Sequence, residues 1–284
     1  MRLSNLLLCV SIIVLLSSCD RVFLGAVEEN EVLNNFHYFW NDYNQHYSNF
    51  RVKNIDWIAE YNLNRPLLNE NSTEEDLYAV IVPMLEKLDD GHIDLVTFRD
   101  DLPEFRSGPA ARLFASGEYF FDRSLVSREY LETEFNNIEN TYIHGILPDN
   151  IGYMYWGEIP EMDLAFARQV MDGMIADLRD TRGLVIDLRD NDGGEDEAGR
   201  LLASYFTDEE PLYMLTRYKI GPGPDDFEEM REWRITNTDV ELYDKPLVLL
   251  TDRYCISAGE TFSLALLELP QLVHVGDTTT GAFS

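Results

Sequence analysis

Histidine and cysteine are scarce in this 284-residue chain, at five and three. No HExxH pattern and no CxxC pair occurs, so no metal centre is expected. Neither a GxGxxG turn nor a Walker lysine is present, which leaves nucleotide binding without support; no cofactor is expected. Basic residues are the minority, 22 against 52 acidic ones, for a formal net charge of −30. A phosphate backbone is repelled by such a surface, so nucleic acid is excluded as a partner. The acid is spread along the chain and speaks for solubility more than for substrate. There is no internal repeat and no low-complexity tract.

A long apolar run is missing too. Leu6 to Leu16, behind Arg2, forms a short apolar core, where a membrane-spanning helix needs roughly 20 residues. A basic start, a short apolar region and small residues make a secretory signal. Leu16-Ser17-Ser18-Cys19 resembles the bacterial lipobox, which implies cleavage before Cys19 and lipid attachment to it. Residues 1–19 are then a lipoprotein signal peptide and 20–30 a tether, holding the protein to a membrane of the cell envelope. Only Cys255 would remain, so no intramolecular disulfide is expected. Nothing near Cys255 in sequence lowers its pKa, and it reads as a small buried hydrophobe.

What is present is patterned. Val32, Leu33, Phe36, Phe39, Trp40, Tyr43 and Tyr47 recur at three- and four-residue steps, one face of a helix. Ser72-Thr73-Glu74-Glu75 reads as a capping box before Leu77, Val80, Ile81, Met84, Leu85 and Leu88. Residues 31–97 are expected to form a small N-terminal helical domain ending in an Asp-Gly-His corner and a short strand. Residues 98–150 read as a connecting segment that mixes short strands with a helix around 128–135. From residue 151 the rhythm is strand, helix, strand, which argues for an α/β core with a parallel sheet.

Three segments carry chemistry. Ser257 stands where the apolar run Leu247 to Thr251 gives way to a helical run from Ala258. A hydroxyl there is exposed, beside unsatisfied N–H groups of the first helical turn, as a serine nucleophile requires. Ser257-Ala258-Gly259-Glu260 also fits a capping box, and that reading stays open. Leu184 to Asp187 runs into a polar turn closed by Gly193 and Gly194, whose backbone N–H groups can build part of an oxyanion hole, or form an ordinary Asx turn. Calcium-loop spacing fails there. Third, His92 follows Gly91 at a helix-to-strand corner, placed to face a cleft.

Taken in order, Asp90-Gly91-His92, Asp187-x-Arg189-x-Asn191-x-Gly193-Gly194, Ser257-Ala258-x-Glu260 and Gly276-x-Thr278-Thr279-x-Gly281 resemble the tail-specific (C-terminal processing) serine peptidases. The resemblance implies a ClpP/crotonase-like fold for 151–284 and no cofactor. Where processing proteases carry a base lysine, 25 residues after the serine, this chain has Ala282. The match is to the histidine-base branch, similar to the tricorn core and retinoid-binding-protein-like peptidases, which implies His92 as base. Tricorn has a serine where this chain has Gly91, and the branch's orienting glutamate would lie beyond Ser284, so the core reads as C-terminally incomplete. Residues 98–150 are too few for a full PDZ module of roughly 80 to 100 residues.

The expectation is a serine endopeptidase acting on proteins or peptides at the cell envelope. Ser257 would be nucleophile and His92 base, with the N–H groups of Ala258 and of Gly193 or Gly194 around the oxyanion. The alternative is an inactive peptidase-fold lipoprotein that binds peptides or apolar ligands. An esterase-type α/β-hydrolase lacks its Gly-x-Ser-x-Gly elbow here.

Overall fold

A computed structural model describes residues 32–117, 121–161 and 163–282. The expected signal peptide, tether and Cys19 lie outside them. Among the described residues no helix is long and apolar enough to cross a membrane.

The N-terminal region is helical, as its periodicity predicts: α1 Val32–His46, α2 Trp57–Asn64 and α3 Glu74–Leu88. Their apolar stripes meet in one core holding Phe36, Trp57, Met84, Leu85 and Leu88. The indoles of Trp40 and Trp57 each donate to the other's backbone carbonyl at 2.9 Å, so two large rings pack without leaving a donor unpaired. The cap of α3 lies one residue later than expected. Thr73 and Asp76 form the capping box, while the Ser72 hydroxyl accepts the Asn69 N–H instead. Asp89 ends the helix in the left-handed conformation, and the chain turns through Asp90-Gly91-His92 into a two-residue strand β1, Asp94–Leu95, paired with β2, Phe105–Arg106. Next come α4 Gly108–Ser116, α5 Leu125–Glu129, β3 Thr133–Ile138, β4 Tyr142–Leu147 and β5 Ile151–Trp156.

The rest alternates: α6 Leu164–Leu178, β6 Leu184–Asp187, α7 Asp196–Ala203, the hairpin strands β7 Leu212–Thr216 and β8 Arg231–Arg234, β9 Leu247–Thr251, α8 Ala258–Leu267 and β10 Leu272–Gly276. The main sheet has the order β10-β9-β6-β5-β4-β3. Its four strands from β5 to β10 run parallel; β3 and β4 add antiparallel. Two sequence expectations are corrected here. The segment 98–150 is not only a connection, because Thr133–Leu147 hydrogen-bonds into the same sheet as β5. The helix expected over 128–135 ends at Glu129 and a strand starts at Thr133, where Thr, Phe and Ile favour extended backbone.

Alternation along β5 explains the layering. Met154 and Trp156 face the main core with Met171 and Ile175 of α6 and Phe262 of α8. Tyr153 and Tyr155 point to the other face, under Phe121, Val126 and Leu131.

Candidate active site

The turns that follow β6 and β9 lie side by side because those strands are parallel neighbours. Hydrogen bonds fuse them. Leu188 N–H donates to the Leu250 carbonyl at 2.9 Å, Ile256 N–H to the Asn191 carbonyl at 3.1 Å, and Asp190 N–H to the Asp252 carboxylate at 3.0 Å. Asn191, fully buried, is the hub: its amide donates to the Trp156 carbonyl at 2.8 Å and its Oδ1 accepts Gly193 N–H at 2.9 Å. Below it, buried Asp187 accepts the Tyr153 hydroxyl and a two-nitrogen grip from Arg189. This is how the buried polar groups of Asp187 and Asn191 are satisfied.

Ser257 is half-buried at φ 55°, ψ −122°, left-handed for a residue with a side chain. Such strain persists only where the surroundings over-determine it. Glu260 supplies much of that. Its buried carboxylate accepts Ser257 N–H at 3.1 Å, Gly281 N–H at 2.6 Å, Ala282 N–H at 2.9 Å and the Thr279 hydroxyl at 2.6 Å. The Glu260 N–H donates to the Ser257 carbonyl at 2.8 Å, and the Glu260 carboxylate makes the glutamate half of the expected capping box. Gly193 packs against the nucleophile turn: a Cβ there would lie 2.8 Å from Ser257 Cβ. Gly193 N–H is engaged by Asn191, whereas the N–H groups of Gly194 and Ala258 have no acceptor among the described residues.

The Asp-Gly-His corner reaches the same place from the other end of the chain. A Cβ on Gly91 would meet Ile256 at 3.0 Å and Ala282 at 3.2 Å, so a serine at 91 is crowded by the residue preceding Ser257. Asp90 is buried: its Oδ1 accepts the backbone N–H of His92 at 3.1 Å and its Oδ2 the Tyr47 hydroxyl at 2.9 Å. It shapes the corner. Asp94 is exposed on β1, and no carboxylate forms an ion pair with His92 among the described residues. Ser257, His92 and Ala282 line one cavity of about 780 Å³.

Sequence reasoning missed the cavity's other walls. His46 ends α1, Ser48 and Val52 lie in the loop after it, and Met214 to Lys219 with Phe227 come from the β7–β8 hairpin. The hairpin's place beside Ser257 has no local signal. Two histidines outside the site have structural partners instead: His144 meets Asp177 at 2.9 Å and His274 the Thr251 hydroxyl at 2.7 Å. Cys255 is buried and its thiol is pushed up mainly by loss of solvent, with Glu260 adding to the shift, so it is no nucleophile. No group of three or more His, Cys, Asp or Glu side chains suits a metal among the described residues.

Residues 150–284 match the family model described as Peptidase family S41. The chain carries an S41 peptidase domain. Residues 28–86 match the Tricorn protease C1 domain, so His92 lies just past one match and Ser257 inside the other. A Parabacteroides merdae ATCC 43184 protein described as a candidate peptidase superposes on the S41 chain with a TM-score of 0.72 at 25% identity, over 89% of this chain and 78% of that one. A lipoprotein of Streptococcus agalactiae gives 0.52 at 15%, over 90% and 79%. Mature CPAF gives 0.62 at 11%, over 89% and 84%. The last two likenesses are of fold.

Proposed function

We propose that this S41 peptidase is a serine endopeptidase that cleaves peptide bonds through an acyl-enzyme on Ser257. What supports the reading most is that His92 and Ser257, 165 positions apart, line one cavity, with Ser257 held at a strained turn beside two unengaged N–H groups. His92 takes the Ser257 proton as the oxygen attacks the carbonyl carbon. The oxyanion rests on the N–H groups of Ala258 and Gly194. Protonated His92 then gives its proton to the leaving amine, and water repeats the sequence on the ester. Losing one oxyanion donor typically costs on the order of 10²–10³ in rate. The lipobox-like Leu16 to Cys19 supports a lipid-anchored location at the cell envelope, with proteins or peptides there as substrates.

One observation favours a second reading, an inactive peptide-binding protein: among the described residues no carboxylate is in an ion pair with His92. Fluorophosphonate labelling of the chain from Asp20 onward, with the adduct mapped by mass spectrometry, separates the two. Labelling at Ser257 that disappears in Ser257→Ala and His92→Ala is expected. Loss with His46→Ala but not His92→Ala would move the base to the other cavity histidine, and no labelling would favour the binding protein.

A further inference from the structure

The β7–β8 hairpin brings to the cavity charge of the sign that the chain as a whole has least of. Acidic residues outnumber basic ones 52 to 22, yet the cavity is lined by Arg217 and Lys219 with one carboxylate, Asp196. That carboxylate is engaged by the Thr261 hydroxyl at 2.7 Å. Lys219 Nζ lies 3.4 Å from the Gly223 carbonyl. Arg217 is different. Many of the arginines here are in ion pairs, but Arg217 has none among the described residues. Its guanidinium carbon sits 4.1 Å from the centre of the Phe227 ring, and Phe227 lines the same cavity.

A guanidinium stacked by its face keeps its in-plane N–H donors for other partners, in the fork geometry that matches a carboxylate. Phe227 thereby holds Arg217 in orientation and leaves its reading edge open. The surrounding negative field works against an acidic ligand at long range and is screened beyond about 10 Å at ordinary salt, whereas a two-point contact is not.

We infer that Arg217 is a specificity residue that selects peptides carrying an aspartate or glutamate side chain near the bond bound at Ser257. The inference rests on the proposed peptide-binding role of this cavity and adds the substrate class. It does not require turnover.

The test uses the chain from Asp20 onward and quenched fluorogenic peptides that differ only in Glu, Gln or Lys, scanned through each position flanking the cleavage point. At one position the Glu peptide should exceed its Gln counterpart in kcat/KM by roughly tenfold, as one hydrogen-bonded charge pair gives. That preference should vanish in Arg217→Gln, turn toward Lys in Arg217→Glu and shrink as salt is raised. Cleavage without a Glu preference, or a preference that survives Arg217→Gln, overturns the inference and leaves the peptidase reading intact. If nothing is cleaved, anisotropy binding of the same peptides decides: a Glu preference lost in Arg217→Gln upholds the acidic-peptide site without the hydrolase. Equal or absent binding overturns it.

Discussion

The carboxylate of Glu260 accepts the backbone N–H of Ser257 at 3.1 Å and that of Ala282 at 2.9 Å through the same oxygen, Oε2. One buried side chain thus fastens the 279–282 segment to the turn that presents the candidate nucleophile. It also ties down the position where processing proteases carry their base lysine, here a buried alanine behind Gly91.

Glu260→Gln should therefore weaken more than a cap. Four donors converge on two carboxylate oxygens, and an amide offers one accepting oxygen and turns N–H donors on the rest. The expected cost is about 2–4 kcal/mol, read as a lower urea midpoint, with slower fluorophosphonate labelling at Ser257. An unchanged midpoint would mean that the 279–282 segment is held by other contacts.

Gly193→Ala tests the contact between the two turns. At φ +86° a side chain costs roughly 1–2 kcal/mol, and its Cβ at 2.8 Å would displace Ser257. Labelling should fall at least tenfold, on the order of losing an oriented nucleophile, while circular dichroism still shows the native fold. Wild-type labelling would show that the turns can separate without harm.

The Asp190 carboxyl is raised above its ordinary value of 3.8 by burial, which outweighs the opposing hydrogen bond and charge of Arg123. The folded state thus binds this proton more tightly than the unfolded state. Its contribution to stability is largest in acid and declines as pH rises from 3.8 through the folded value. Asp190→Asn does not titrate, and asparagine accepts the native φ of 57°. The stability of wild type minus that of Asp190→Asn should fall as pH rises above 3.8. A rise would put the Arg123 pair ahead of burial.

Cys255 predicts a chemical contrast. From Asp20 onward it is the sole thiol, buried and with its pKa raised. A thiol-specific dye should leave the native chain untouched for hours and react fully in guanidinium. Rapid native reaction would reveal opening around the β9 turn.

Legibility divides along range. The aromatic stripe of α1, the helix α3 and the parallel strands β6 and β9 were readable because burial of one face or of both imposes a local period. Short strands were expected within 98–150, but that the β3–β4 hairpin joins the core sheet was not readable, because its outer strand is largely exposed and carries a weak pattern. The one-residue shift of the α3 cap came from two adjacent hydroxyls, Ser72 and Thr73, either of which satisfies the local rule.

The sequence by itself determined the strand-to-helix setting of Ser257, the paired glycines after β6, the histidine after a corner glycine and the family those segments belong to. These are local backbone requirements, written in neighbouring residues. Tertiary structure alone decided that His92 and Ser257 share a cavity, that Asn191 claims Gly193 and leaves the Gly194 N–H open, and that Arg217 faces the site from a hairpin. Each of these depends on strand order and on packing between segments far apart in the chain, and no local pattern of residues records which distant surface a side chain will meet.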